Sequence, residues 1–199
     1  MSTCRHNFAE GGLRPHVLAR AGAVVALLIV SMSTRAAEVE SYATVKEAQV
    51  MSAFLYNFTK FVEWPADRFG DAADPIVLGI FRDSFIEAEL AAVVSGRKVN
   101  GRELVVKRVV TLVEVTNAHV VFVGAAEEAR FANLLPAMKD RAVLTVGEST
   151  AFLDRGGVVR LFLEAQRLRF EINVPAAQHA DLKISSQLQK LAVARRGAE

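Results

Sequence analysis

The chain has 199 residues, 52% of them hydrophobic and 23% charged, and carries a net charge of +2 at neutral pH. That balance excludes a disordered chain, and no basic run with interleaved aromatics marks it for nucleic acid. Its one cysteine, Cys4, falls in an N-terminal stretch laid out as a leader, so the rest of the chain has no disulfide, thiol nucleophile or thiolate metal ligand.

In that leader Arg14 and Arg20 precede an apolar stretch over 21–33, and Thr34-Arg35-Ala36 offers a small-x-small cleavage pattern. The spacing predicts a secretory signal peptide over 1–36 and a single exported domain over 37–199. The apolar run is shorter than the roughly 20 residues that span a bilayer, although an uncleaved membrane anchor is the competing reading. No cysteine follows the run, which argues against a lipoprotein. Removing the leader takes away four arginines and one glutamate. The 24 basic and 22 acidic residues become 20 and 21, and the net charge falls from +2 to −1.

A helix is predicted over 44–64, stopped by Pro65. Met51, Phe54, Leu55, Phe58, Phe61 and Val62 share one face, which reads first as core. Tyr56, Lys60, Glu63 and Trp64 are left over, and they are the first candidates for a binding surface. Trp64 reads equally as an interface anchor and as a lid on the core edge. The continuous apolar run 75–81 predicts a strand buried on both faces. Ser84, with Glu87 three residues on, is a candidate cap for a second helix, and Gly96 ends it. Asn100-Gly101 marks a turn before a valine-rich strand over 104–110. Further elements are a strand at 119–123, a helix spanning Glu127 to Leu135 and a strand at 142–146. The alternation predicts an α/β fold with a mostly parallel sheet flanked by helices.

The last third changes period. Residues 158–163 and 168–174 predict two consecutive strands, the second alternating apolar and polar, that form a C-terminal antiparallel hairpin and make the sheet mixed. A turn centred on Ala165-Gln166, or a four-residue loop from Glu164 to Arg167 in the same register, puts Val159, Leu161 and Leu163 opposite Ile172, Phe170 and Leu168 on the buried side. Arg160 then faces Glu171, and Phe162 faces Arg169. A short helix is expected after Pro175, and Ser185 or Ser186 caps a closing one.

Two segments carry a resemblance. Phe54-Leu-Tyr-Asn-Phe-Thr-Lys-Phe-Val-Glu-Trp-Pro65 is one. The other runs from Gly156-Gly157 through Arg169-Phe-Glu-Ile-Asn173 to Leu182-Lys-Ile-Ser-Ser-Gln-Leu188. Together, over roughly 45–192, they resemble the YfiR family of exported periplasmic proteins. The resemblance implies an α/β sandwich with a mixed sheet, a homodimer, and repression of a membrane-bound diguanylate cyclase by binding its periplasmic domain. Some members carry disulfides tied to redox behaviour, a route closed to a chain without cysteine beyond its leader.

No cofactor, metal site or catalytic constellation is predicted. His119 reads as a packed strand histidine and His179 as a solvated one. The chain has no Gly-x-Ser-x-Gly elbow, His-Glu-x-x-His helix or glycine-rich phosphate loop. Binding is the better expectation. Arg169, Glu171 and Asn173 project from one strand face with Arg160 beside Glu171. They form either an ordinary exposed ion pair worth about 0–1 kcal/mol or a patch for a partner or small anionic ligand. Two functions follow: a periplasmic regulator that represses a cyclase, lowering cyclic di-GMP and biofilm growth, or a periplasmic small-molecule sensor. The sensor's cleft would lie at the carboxyl ends of the parallel strands, near Phe81 or Gly124.

Overall fold

The computed structural model describes residues 46–194. The leader expected over 1–36 and the start of the exported domain lie outside the described residues.

Helix α1 (46–61) buries a wider face than its aromatic spacing predicts. Ala48, Ser52, Leu55 and Thr59 run down the middle of that face. Met51 and Phe58 flank them on one side and Tyr56 on the other, all buried. The small residues leave room for a close approach, and the aromatic rings pack beside them. Phe54, Phe58 and Phe170 meet edge to face, with centroids 5.4–6.2 Å apart. The buried Thr59 hydroxyl is satisfied by donating to the Tyr56 carbonyl at 2.6 Å. The helix stops at 61, three residues short of the expected end, because the residue before Pro65 is driven toward extended backbone. Val62–Glu63 becomes strand β1 instead.

A 3-10 turn (Ala66–Arg68) leads to β2 (Ile76–Phe81) and α2 (Ser84–Val94). The cap of α2 is Asp83, one residue ahead of the Ser84 expected. Its carboxylate accepts from the N–H groups of Phe85 at 2.9 Å and Ile86 at 3.2 Å, and an anion suits the positive helix end. Strands β3 (Lys98–Val99) and β4 (Arg102–Val109) pair across Asn100-Gly101, both at positive φ. Helix α3 (Leu112–Asn117) carries a full capping box between Thr111 and Glu114. After β5 (Val120–Phe122), the single helix expected around 127–135 is broken. It becomes a 3-10 turn (Ala125–Glu127), α4 (Glu128–Phe131) and a second 3-10 turn (Leu135–Met138). Then come β6 (Leu144–Gly147), α5 (Thr150–Asp154), β7 (Val159–Glu164), β8 (Arg167–Ile172), α6 (Val174–His179), β9 (Lys183–Ile184) and α7 (Ser186–Leu191).

Among the described residues, seven strands form one mixed sheet in the order β3-β4-β2-β5-β6-β7-β8. The β4, β2, β5, β6 and β7 neighbours are parallel, and the β3–β4 and β7–β8 pairs are antiparallel. Both faces are covered, which is why the central strands read as continuous apolar runs. Leu78, Ile80, Val120, Phe122, Leu144 and Val146 pack with α1 and α2 on one face. Phe81, Val121, Val123 and Val143 pack with Val115, Phe131 and Phe152 on the other. On that second face the Phe152 ring lies across two glycines. A Cβ at Gly147 or Gly157 would fall 2.4 or 2.2 Å from its ring atoms.

The hairpin has the predicted register, with Arg160 opposite Glu171 and Leu161 opposite Phe170. Its loop is the two-residue option, Ala165-Gln166, with φ of 48° and 60°. Leu163 was expected on the buried side and is 57% exposed. Strand β7 pairs with β6 only through Val159 and Arg160, so the hairpin end runs past the sheet that would cover it.

Candidate functional site

The two segments that carry the resemblance meet in space. Strands β1 and β9 form a separate antiparallel pair, with Val62 opposite Ile184 and Glu63 opposite Lys183. The Ser185 N–H donates to the Phe61 carbonyl at 2.9 Å, extending the pairing by one rung. Beside this pair opens a cleft of about 170 Å³ lined by Glu63, Trp64, Pro65, Ala66, Asp181 and Lys183. Glu63, Asp181 and Lys183 are exposed, so the cleft presents charges of both signs to solvent.

Trp64 is held from behind. Its indole N–H donates to the His119 carbonyl at 3.2 Å, and its ring meets the His119 imidazole edge to face at 5.8 Å. That imidazole stacks on Phe69 at 4.7 Å, and the Arg102 guanidinium lies 3.8 Å over the Phe69 ring. Arg102 also donates to the carbonyls of Asp71 (2.7 Å) and Asp74 (2.8 Å), and Arg68 donates to those of Thr116 and Ala118. The stack pins the loop after Pro65 onto the amino ends of β2 and β5. It fixes the indole plane, leaving Trp64 a half-buried wall with its N–H already used. His119 is 5% exposed, and its Nδ1 accepts from the Val77 N–H at 3.0 Å. Burial, and then the charges of Arg68 and Arg102, push its pKa down to about 4 against the opposing charge of Asp74.

Asp181 reaches the cleft through a strained turn. It follows α6 in the left-handed region, φ 53°, where the Leu182 N–H reaches back to the Ala177 carbonyl at 2.9 Å. Glycine is the usual residue there. An aspartate in this conformation costs roughly 1 kcal/mol.

Tyr56 and Lys60 do not join the cleft. Tyr56 was expected on the polar side of its helix but is buried under two cations. The Lys60 ammonium lies 4.1 Å and the Arg97 guanidinium 4.9 Å from its ring centroid. Arg97 first, and then Lys60, lower the pKa of the phenol.

The four hairpin candidates do not form one patch. Arg160 and Glu171 pair at 3.3 Å with side chains only 21% and 11% exposed, and Arg160 Nε donates to the Glu148 carbonyl at 3.1 Å. This pair is partly enclosed, not the ordinary exposed bridge of one sequence reading. Arg169 turns instead to Glu164, 3.7 Å away. Asn173 is the cap of α6. Its Oδ1 accepts from the Ala176 N–H, and its Nδ2 donates to the Leu153 carbonyl at 3.1 Å.

The carboxyl ends of the parallel strands, where a sensor cleft was expected, are acidic. The order in which strands are added switches from one side of β2 to the other between β2 and its parallel neighbour β5, and Asp83 and Gly124 follow those two strands. Glu128 is buried and accepts from the N–H groups of Glu148 and Ser149 and from the Ser149 hydroxyl. Glu148 accepts from the Ala125 N–H. Burial raises the Glu148 pKa, with help from Glu128, Glu47 and Asp83 and against that hydrogen bond. These carboxylates disfavour a small anion at this end of the sheet. Among the described residues no group of three or more His, Cys, Asp or Glu side chains is placed to hold a metal ion, and no helix is long and apolar enough to cross a membrane.

Sequence reasoning missed Asp181, Lys183 and the Glu128–Glu148 pair as neighbours of these sites. A two-residue strand such as β9 has no periodicity to detect. Glu148 had a readable signal, since it follows Gly147 at the end of a buried strand.

A search of curated proteins finds no match. Among solved structures, a conserved domain protein from Vibrio cholerae O1 biovar El Tor is similar at 14% identity and a TM-score of 0.44, covering 59% of this chain and 54% of that one. The sequence pattern of the YfiR/HmsC-like family matches residues 48–193, which takes in both motif segments, their strand pair and the whole mixed sheet. The chain belongs to the YfiR/HmsC-like family.

Proposed function

We propose that this protein is an exported regulator that binds the periplasmic domain of an inner-membrane diguanylate cyclase and holds the cyclase in a low-activity state. Family membership supports the link to diguanylate cyclase signalling. The single observation that carries a binding role is the junction of the two motif segments at β1 and β9. There a pinned tryptophan, Glu63, Lys183 and a strained Asp181 share one solvent-open cleft. Rigid aromatic walls with exposed charges of both signs suit recognition of a protein surface. Repression requires only that the regulator bind the inactive arrangement of the cyclase more tightly than the active one. Residues 1–36 act as the export signal in this reading. The exported domain acts through contact instead of catalysis, and as a homodimer, which light scattering on the purified protein tests.

Deleting the gene and measuring cyclic di-GMP tests the regulatory claim. Cyclic di-GMP and biofilm mass rise if repression operates and return to the starting level on complementation. Unchanged levels in a strain that makes a membrane-bound cyclase with a periplasmic domain overturn it.

A further inference from the structure

A second space shares no lining residue with the motif cleft and lies at the opposite ends of the strands from the acidic groups. It is a cavity of about 220 Å³ near the amino ends of β6 and β7, between α6 and the 3-10 turn Leu135–Met138. That is about seven waters' share of liquid volume, small for a drug-sized ligand and large for packing slack. Met138, Val143, Val158 and Ala180 are buried in its lining. The buried Thr145 and the half-buried Asn173 also line it, but both have made commitments. Thr145 Oγ1 accepts from the Val158 N–H at 3.0 Å, and the Asn173 amide is occupied at both ends.

The exposed part of the lining has a defined charge. Lys139 and His179 are exposed there, and among the described residues no aspartate or glutamate lines the cavity. His179 Nδ1 lies 2.7 Å from the Pro175 carbonyl oxygen, which fixes the ring as one wall. An ammonium ligand would find no counter-charge and would meet Lys139. A zwitterion would leave its ammonium unmatched. A neutral apolar molecule would fill the floor and leave Lys139 unused. The chemistry that satisfies floor and rim together is a compact apolar body bearing one carboxylate.

We propose that this cavity binds a small apolar monocarboxylate, its hydrocarbon part on Met138, Val143 and Val158 and its carboxylate toward Lys139. This goes beyond the proposed regulatory function and needs no cyclase, so either can fail without the other.

The test is a chemical-shift titration of the purified, isotope-labelled protein with three probes of one shape: phenylacetate, 2-phenylethanol and 2-phenylethylamine. Phenylacetate is expected to move the amides of Ala176, His179 and Ala180 with a Kd below about 1 mM, the range that ten non-hydrogen atoms can supply. The alcohol binds at least threefold more weakly, and the amine shows no saturation. Lys139→Gln, an exposed substitution that leaves the fold intact, brings phenylacetate down to the affinity of the alcohol. Ala176→Leu fills the space and removes binding of both. The proposal is overturned if phenylacetate causes no shifts at 10 mM, if the amine binds as tightly as the acid, or if Lys139→Gln leaves the acid's affinity unchanged.

Discussion

Replacing Arg160 by methionine separates a surface ion pair from a built-in one. The Arg160–Glu171 atoms approach to 3.3 Å. At an effective dielectric of about 20, their gross attraction is about 5 kcal/mol. Withdrawing both ions from water offsets most of that. A fully exposed pair would leave about 0–1 kcal/mol, and breaking a fully buried one costs about 3–5 kcal/mol. With side chains 21% and 11% exposed, the pair falls between these limits, and Arg160→Met is expected to cost about 2 kcal/mol. The loss includes the bond from Nε to the Glu148 carbonyl and the stacking of the guanidinium 4.5 Å over Phe162. Most of it comes from Glu171, left enclosed without a counter-charge. Glu171→Leu in the Arg160→Met background removes that charge and is expected to recover at least about 1 kcal/mol, so the two substitutions are not additive. Urea unfolding at pH 7 reads both values, provided the slope with denaturant is unchanged. A loss below about 0.5 kcal/mol for Arg160→Met, or simple additivity in the double variant, refutes the reasoning.

Gly157→Ala places a methyl 2.2 Å from the Phe152 ring and 2.8 Å from its carbonyl oxygen. The ring is 2% exposed and cannot swing into solvent without leaving the core, so a cost of about 2–3 kcal/mol is expected in the same assay. His119 gives an acid-dependent loss. Its folded-state pKa is about 4, below the unfolded value of 6.5. The unfolded chain therefore takes up a proton that the folded chain refuses, and stability falls as pH drops from about 6.5 to 4. The span is about 2–3 kcal/mol after allowance for screening. His119→Asn, whose amide oxygen can accept from the Val77 N–H, flattens that part of the pH profile. Glu148 works in the opposite direction. Its raised pKa means that its charge opposes folding at neutral pH, so its contribution improves as pH falls through the folded-state pKa. Glu148→Gln keeps an acceptor for the Ala125 N–H and is expected to raise the melting temperature at pH 7, with a gain that shrinks as the wild-type carboxyl protonates.

The sheet was legible because its signals are redundant. Strand β2 and its parallel neighbours are covered on both faces, and their sequences read as apolar runs whichever way the residues point. The β7–β8 register was fixed by two alternating faces that had to agree at once. Short helices were less legible. Helix α3 has a capping box that could have been read, whereas α5 has only Ser149 ahead of five residues. The site was legible in part. Glu63 and Trp64 stood out because aromatic spacing had already claimed their neighbours for the core. Asp181 and Lys183 did not, since their approach to Trp64 depends on a left-handed turn and a two-residue bridge. Asn173 looked like a binding residue because a cap and an exposed strand end carry the same letter. Tyr56 looked exposed because the sequence does not tell that Arg97, from the far end of α2, folds over its ring.

The most direct test of the regulatory account is photo-crosslinking in living cells from position 183, where the exposed Lys183 borders the motif cleft. A photoreactive residue there, in an otherwise normal chain, is predicted to capture a membrane-bound diguanylate cyclase. The same residue at the exposed position 139, beside the carboxylate cavity, is predicted not to do so. A crosslink from 183 only to unrelated envelope proteins, or equal capture of the cyclase from both positions, contradicts the account.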